Sequence, residues 1–137
     1  MPKRRRGSPR GHDRTDARLA RFEQLVDRAL AAIPPPFSGA LAEVAIVIED
    51  EATPEQLSEN GLGPDDDLYG LYEGVPRTEW AADWAMVPNR ISLFRLPLEE
   101  DFPEPARLED EVRRTVIHEL AHHLGFDDDR LQELGAG

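Results

Sequence analysis

The chain has 137 residues, a net charge of −12 and no cysteine. The charge is divided unevenly: residues 1–21 carry eight basic and two acidic side chains, whereas residues 22–137 carry eight basic and 26 acidic ones. The absence of cysteine excludes a disulfide framework, a thiol nucleophile and a cysteine-ligated metal site. No apolar run approaches the roughly 18 residues of a membrane-spanning helix, and no apolar segment follows the N-terminal arginines. We therefore expect one cytoplasmic domain with no signal peptide.

The first 13 residues are basic, contain proline and glycine, and lack large apolar side chains after Met1. Such a segment cannot bury enough apolar surface to offset the entropy of ordering, so we predict a disordered basic arm over 1–13 and a single domain over 14–137. The basic residues at 3–6 suit contact with nucleic acid, but a solvated tail is the simpler interpretation. The acidic body opposes phosphate binding, so we expect neither nucleic acid nor membrane as a partner.

An amphipathic helix is predicted from Thr15 to the prolines at 34–36. Thr15 is a suitable N-cap, and prolines cannot continue a helix. Apolar residues recur at three- and four-residue steps, which is the pattern of a core-facing stripe. They are Leu19, Phe22, Leu25, Val26, Ala29, Leu30 and Ile33.

Three strands are predicted at 44–48, 68–72 and 90–96, followed by a helix at 107–124. The first strand alternates only weakly, so we expect it to be buried on both faces. Pro97 is expected to end the third strand. The acidic segments 52–67 and 98–105 are expected to be solvated loops. This order of elements predicts an α+β fold in which one small sheet packs against two helices.

The final helix carries the sequence HELAHHLGFDD at 118–128. His118 and His122 are one helical turn apart, so both imidazoles project the same way and can hold one metal ion. Glu119 flanks that ion without ligating it, which is the position of a general base that takes a proton from a metal-activated water. His123 points elsewhere by 100° and is expected on the surface or behind the ligands.

Gly125 explains how a third ligand can reach the same ion. A glycine at the helix C-terminus allows positive φ and reverses the chain, which brings one of the three aspartates at 127–129 towards the histidines. Among them the spacing favours Asp128. The ligand set His118, His122 and Asp128 suits one Zn²⁺, although other divalent transition metals fit the same ligands.

A metal-activated water with Glu119 beside it predicts hydrolysis of a peptide bond. The reaction also needs a hydrogen-bond donor for the developing oxyanion. The sequence leaves four candidates open, namely Tyr69, Tyr72, Arg90 and Arg95.

The helix motif, preceded by GLYEG at 70–74 and RISLFR at 90–95, resembles the small bacterial zincin-like metallopeptidase family. The resemblance covers about Phe22 to Asp128. It implies a minimal zincin-like fold, with a small mixed sheet packed against an N-terminal helix and the HExxH helix, and an edge strand available to an extended peptide or protein substrate. Carried over by position, His118, His122 and Asp128 are the zinc ligands and Glu119 is the catalytic base.

Two alternatives remain open. The short chain favours a catalytically silent binding module that keeps the zincin scaffold without turnover. The tail GFDD at 125–128 also resembles the motif of small bacterial rRNA-maturation endoribonucleases, which would make the protein a metal-dependent nuclease. Glu119 and the acidic body favour peptidase chemistry over the nuclease.

Overall fold

A computed structural model describes residues 9–74 and 89–126, with side chains from Asp16 onward. Within these ranges the chain forms five α-helices, one short 3-10 helix and three strands. In chain order they are α1 (Pro9–Ala31), α2 (Phe37–Ala40), the 3-10 helix (Leu41–Glu43), β1 (Ala45–Glu49), α3 (Pro54–Glu59), β2 (Gly70–Glu73), β3 (Arg90–Phe94), α4 (Arg95–Asp101) and α5 (Pro105–Leu124).

The strands form a mixed sheet in the order β1-β3-β2. β1 runs parallel to β3, with Ala45 opposite Arg90, and β2 runs antiparallel to β3, with Gly70 opposite Leu93. In the described part of the sheet, β3 is central and β2 lies at an edge. The predicted α+β fold with a small mixed sheet is therefore confirmed.

Helix α5 connects the two halves of the core. It packs against β2 and β3 on one side and against α1 on another. Phe22 and Ala29 from α1 and Val116 and Leu120 from α5 are almost completely buried in one cluster that also contains Ile91 of β3. Each of the larger side chains stabilises the fold by about 1.5–3 kcal/mol relative to exposure. The predicted apolar stripe of the first helix therefore contributes most of its residues to this core.

Strand β1 differs from the prediction. It was expected to be buried on both faces, but Ala45 is exposed and the other four residues are only half-buried. The reason is its position beside a single neighbour, since β1 pairs with β3 alone among the described residues.

The segment after β3 also differs from the prediction. The third strand was expected to continue to Leu96 and to end at Pro97, followed by a loop, but α4 begins at Arg95. Pro97 is the third residue of α4 and is compatible with it, because the first four N–H groups of a helix have no intrahelical partner. The predicted loop is partly helical as a result, and Leu98 is fully buried.

Helices α1 and α3 also differ from the prediction. Helix α1 begins at Pro9, six residues before Thr15, so residues 9–13 of the predicted arm are helical, while residues 1–8 lie outside the described ranges. Helix α3 lies within the predicted polar loop and begins with a capping box, in which Thr53 and Gln56 exchange hydrogen bonds. No helix in the described ranges is long and apolar enough to cross a membrane.

Candidate active site

Helix α5 places His118, Glu119 and His122 within its last two turns. The ring centroids of His118 and His122 are 4.9 Å apart, because residues four apart in a helix lie on the same side one turn apart. The helix ends at Gly125, whose φ of 81° is left-handed. That conformation favours glycine and turns the chain away from the helix axis. The helix therefore holds the imidazoles of His118 and His122 side by side just before the chain turns at Gly125.

Glu119 is held in place by the backbone of the edge strand. Its side chain is only 10% exposed, and its Oε1 accepts a hydrogen bond of 2.9 Å from the N–H of Tyr72 in β2. The same oxygen lies 3.4 Å from Nδ1 of His122. Oε2 has no hydrogen-bond partner among the described residues. One oxygen of the carboxylate is therefore anchored, and the other is left to accept a proton.

The N–H of Tyr72 is available to Glu119 because of the register of the sheet. The N–H of Phe94 donates to the carbonyl oxygen of Tyr69 at 2.9 Å, so these two residues form a hydrogen-bonded pair of the antiparallel ladder. Peptide groups alternate in direction along an antiparallel strand, so the N–H of Tyr72 faces away from β3 and towards α5. An open strand edge thus supplies the donor that fixes the predicted base.

Gly70 allows β2 to approach α5 this closely. A Cβ atom at this position would lie 2.6 Å from Cγ2 of Thr115 and 3.2 Å from the backbone oxygen of Ser92. Contacts below 3 Å are not tolerated without displacement, and both Thr115 and Ser92 are buried. Gly70, the first glycine of GLYEG, therefore sets the distance between β2 and the helix that carries Glu119.

His123 is buried, so the structure excludes the surface, which was one of the two positions expected for it. It is fully buried, with Nδ1 3.1 Å from the hydroxyl of Tyr72 and Nε2 2.7 Å from Oε1 of Glu43. The hydroxyl of Tyr72 also donates to Oδ1 of Asn89 at 2.9 Å. His123 therefore connects α5 to β2 and to the 3-10 helix. The signal for it in the sequence is a third histidine that HExxH does not require.

A groove of about 280 Å³ runs beside the predicted base. Its lining residues come from β2 and the segment before it and from α5, namely Tyr69, Gly70, Glu111, Arg114, Thr115, His118 and Glu119. His122 is not among the lining residues, and its side chain is 46% exposed. Ligand pockets for drug-sized molecules usually have volumes of about 300–1,000 Å³, so this groove is at the lower end of that range and suits a small group or a short chain segment better than a large ligand.

Of the four candidate oxyanion donors, only Tyr69 lines the groove. Its hydroxyl donates to Asp101. This hydrogen bond, together with desolvation and the charge of nearby carboxylates, raises the pKa of Tyr69 to about 12. The phenol is therefore neutral across the physiological range. Arg114, which the sequence did not suggest, lies in the same groove one turn before His118.

The other three candidates do not line the groove, and like Tyr69 they already have partners. The hydroxyl of Tyr72 contacts Asn89 and His123. Arg90 forms an ion pair of 3.1 Å with Glu73. Arg95 is buried and forms ion pairs with Asp50 at 3.2 Å and with Glu99 at 2.8 Å.

The third predicted ligand is not part of the described structure. Asp128 and its neighbours Asp127 and Asp129 lie beyond residue 126. Within residues 9–74 and 89–126, no group of three or more histidine, cysteine or acidic side chains is arranged to hold a metal ion. The donor chemistry nevertheless fits zinc, because two imidazoles one helical turn apart leave positions for a carboxylate and a water. The three ligands stay a prediction.

The family model described as a zincin-like metallopeptidase matches residues 41–137, which is 97 of the 137 residues. The chain therefore belongs to the zincin-like metallopeptidase family. The match begins at the 3-10 helix, so α1 and α2 lie outside it, whereas the resemblance seen in the sequence began at Phe22. A comparison with curated proteins found no match.

Proposed function

We propose that the protein is a zinc-dependent peptidase in which Glu119 is the general base. The observation that carries this proposal is the arrangement of the Glu119 carboxylate. Oε1 is fixed by the N–H of Tyr72 at 2.9 Å, and the side chain lines a groove together with His118. A carboxylate held in this way can face a water molecule in one defined orientation, which is what general-base catalysis requires.

His118, His122 and Asp128 would hold the zinc ion. When bound, zinc polarises a carbonyl group and lowers the pKa of a water molecule towards neutrality. The expected number is one ion per chain.

The cytoplasm remains the expected location, and fractionation of the source cells would test it.

The protein's own residues then account for the proton transfers. Glu119 accepts a proton from water at Oε2 while the water oxygen forms a bond to the carbonyl carbon of the peptide. The C–N bond then breaks, and Glu119 delivers the proton to the leaving amine nitrogen. The hydrogen bond from Tyr72 to Oε1 persists through both transfers and keeps the carboxylate in one rotamer.

The substrate class we propose is a peptide or an exposed segment of a protein. The groove is small and is partly lined by the backbone of an edge strand at Gly70, so an extended chain fits it better than a bulky compact ligand. A nucleic acid substrate is disfavoured by the acidic body.

Metal analysis combined with cleavage of a general peptide library tests this proposal. The native chain is expected to bind about one zinc ion and to cleave a subset of peptides. Glu119→Gln is expected to keep the metal and to lose about 10²–10⁴-fold in activity, which is the usual contribution of a general base. Glu100→Gln, the same chemical change at an exposed position on α4, is the matched control.

Two outcomes would overturn the proposal. Equal activity in the native chain and in Glu119→Gln would exclude Glu119 as the base. Binding of one zinc ion without cleavage of any library peptide would instead favour the silent binding module.

A further inference from the structure

A second and larger groove lies between α1 and the segment that joins α4 to α5. Its volume is about 620 Å³. The floor is apolar, because Phe22, Leu25 and Leu108 of the core form part of its lining. Phe102, which is partly buried, lines the same groove. Nothing in the proposed peptidase chemistry uses this surface.

The rim of the groove is cationic. Arg18, Arg21 and Arg28 all line it, and they lie on one side of α1 over a length of about 15 Å. Arg28 is already paired, with its Nε 3.0 Å from Oε1 of Glu109. Arg18 and Arg21 are exposed and form no ion pair with any residue in the described ranges. Two guanidinium groups beside an apolar floor therefore remain available.

The one carboxylate that lines the groove does not neutralise these arginines. Glu99 accepts a hydrogen bond of 2.8 Å from Arg95, which is buried and does not line the groove. The surface is thus locally positive on a body whose residues 22–137 carry 26 acidic and eight basic side chains. A positive patch of this kind attracts negatively charged ligands.

We propose that this groove binds an acidic segment of a partner protein that carries apolar anchor residues among its carboxylates. Arginine forks bind carboxylates in a bidentate manner, and the apolar floor accepts the anchor side chains. The cationic groups are spread along about 15 Å of helix, which matches several carboxylates on a peptide better than a single one on a small molecule. Charge complementarity therefore selects an acidic peptide as the occupant.

This surface adjoins the candidate active site but shares no lining residue with it. The ring of Phe102 in this groove lies 5.6 Å from the ring of Tyr69 in the other, whereas Leu108 precedes the predicted ligand His118 by ten residues, or about 15 Å along α5. The wall formed by α1 also lies outside residues 41–137, the part matched by the family model. The inference therefore does not depend on the proposed peptidase activity.

Fluorescence anisotropy on the full chain tests the inference. The probe is a fluorescein-labelled peptide that repeats EELEEF twice, at near-physiological salt, with its integrity checked by mass spectrometry. The native chain is expected to bind the probe at micromolar concentrations. Arg18→Gln combined with Arg21→Gln is expected to weaken binding at least tenfold. Arg90→Gln combined with Arg113→Gln removes the same charge outside the groove and is expected to change affinity less than twofold.

Two further probes separate the contribution of the carboxylates to binding from that of the apolar anchors. A peptide that repeats QQLQQF is expected to bind at least tenfold more weakly, because it lacks the carboxylates. A peptide that repeats EEGEEG is expected to bind more weakly as well, because it lacks the anchors. Equal affinity of the native chain and the Arg18/Arg21 double variant would overturn the proposal, and so would equal binding of the glutamine probe or no binding of the EELEEF probe.

Discussion

The backbone N–H of Tyr72 donates a hydrogen bond of 2.9 Å to Oε1 of Glu119. This contact joins the open edge of the sheet to the helix that carries both predicted zinc-binding histidines. It depends on two further features: Gly70 lets the strand come close to α5, and His123 holds the hydroxyl of Tyr72 from behind. The expected effects of changing these residues follow from this geometry.

Gly70→Ala is expected to reduce peptidase activity at least tenfold. The new Cβ would lie 2.6 Å from Cγ2 of Thr115, so β2 must move away from α5 and the bond between Tyr72 and Glu119 lengthens. Overpacking of this kind usually costs about 1–3 kcal/mol of stability. Cleavage assays and urea denaturation measure the two effects. Because Thr115→Ser removes the opposing methyl group, the double variant should recover part of both losses. Full activity in Gly70→Ala alone would show that this spacing is unimportant.

His123→Ala is expected to destabilise the fold without removing the metal. The change leaves a cavity at a fully buried position and removes the hydrogen bonds of His123 with Glu43 and with the hydroxyl of Tyr72, which costs about 2–4 kcal/mol. Denaturation midpoints measure the loss, and zinc titration measures the stoichiometry. His122→Ala provides the contrast, since it should lose zinc affinity with a smaller effect on stability. Loss of zinc in His123→Ala with unchanged stability would identify His123 as a ligand.

Tyr69 is expected to titrate about two units above the ordinary value of 10.0 for a phenol, because its hydroxyl donates to Asp101. The hydrogen bond favours the protonated phenol of the folded state. Its contribution to stability is therefore complete below about pH 10 and is lost as the pH rises towards 12.

The ultraviolet absorbance of tyrosinate measures this titration. Tyr72→Phe leaves Tyr69 as the one remaining tyrosine, and Asp101→Ala in that background should lower its pKa towards 10.0. Circular dichroism confirms that the chain is folded at each pH. An unchanged titration midpoint after loss of Asp101 would contradict this explanation.

Phe22→Ala is expected to destabilise the protein by about 3–5 kcal/mol, although α1 lies outside the part matched by the family model. Phe22 is 2% exposed in the shared core, so its loss leaves a cavity against the other helices. Leu19→Ala on the same helix is the matched control and should cost much less, since Leu19 is 36% exposed. If Phe22→Ala lowered the free energy of unfolding as little as Leu19→Ala does, α1 would not be part of the cooperative domain.

The elements with long periodic patterns could be predicted from the sequence. The stripe around Phe22 and the HExxH segment both identified their helices, because a 3.6-residue period over several turns is unambiguous. The segment RISLFRLP was less informative, because apolar residues continue across the point where β3 ends and α4 begins. Pro97 is compatible with either a strand end or the first turn of a helix, so local sequence could not decide between them.

The sequence predicted the site residues whose spacing follows from helix geometry. It did not predict the contacts that depend on how distant segments pack together. The one-turn separation of His118 and His122 follows from helix geometry alone. The bond from Tyr72 to Glu119 joins residues 47 positions apart, and the contact between Glu43 and His123 spans 80 positions. A single sequence does not show which residues so far apart along the chain come into contact. Asp128 remains a prediction because it lies outside the described residues.

Anomalous diffraction at the zinc edge, from crystals of the zinc-loaded protein, shows whether the two histidines and Asp128 hold the metal ion. One strong peak per chain is expected, about 2.0–2.1 Å from a ring nitrogen of His118 and of His122, with a carboxylate oxygen of Asp128 completing the protein ligands. Glu119 should lie beside the ion with Oε1 still bound to the N–H of Tyr72. A peak coordinated directly by Glu119, or no peak between the two histidines, would contradict the account.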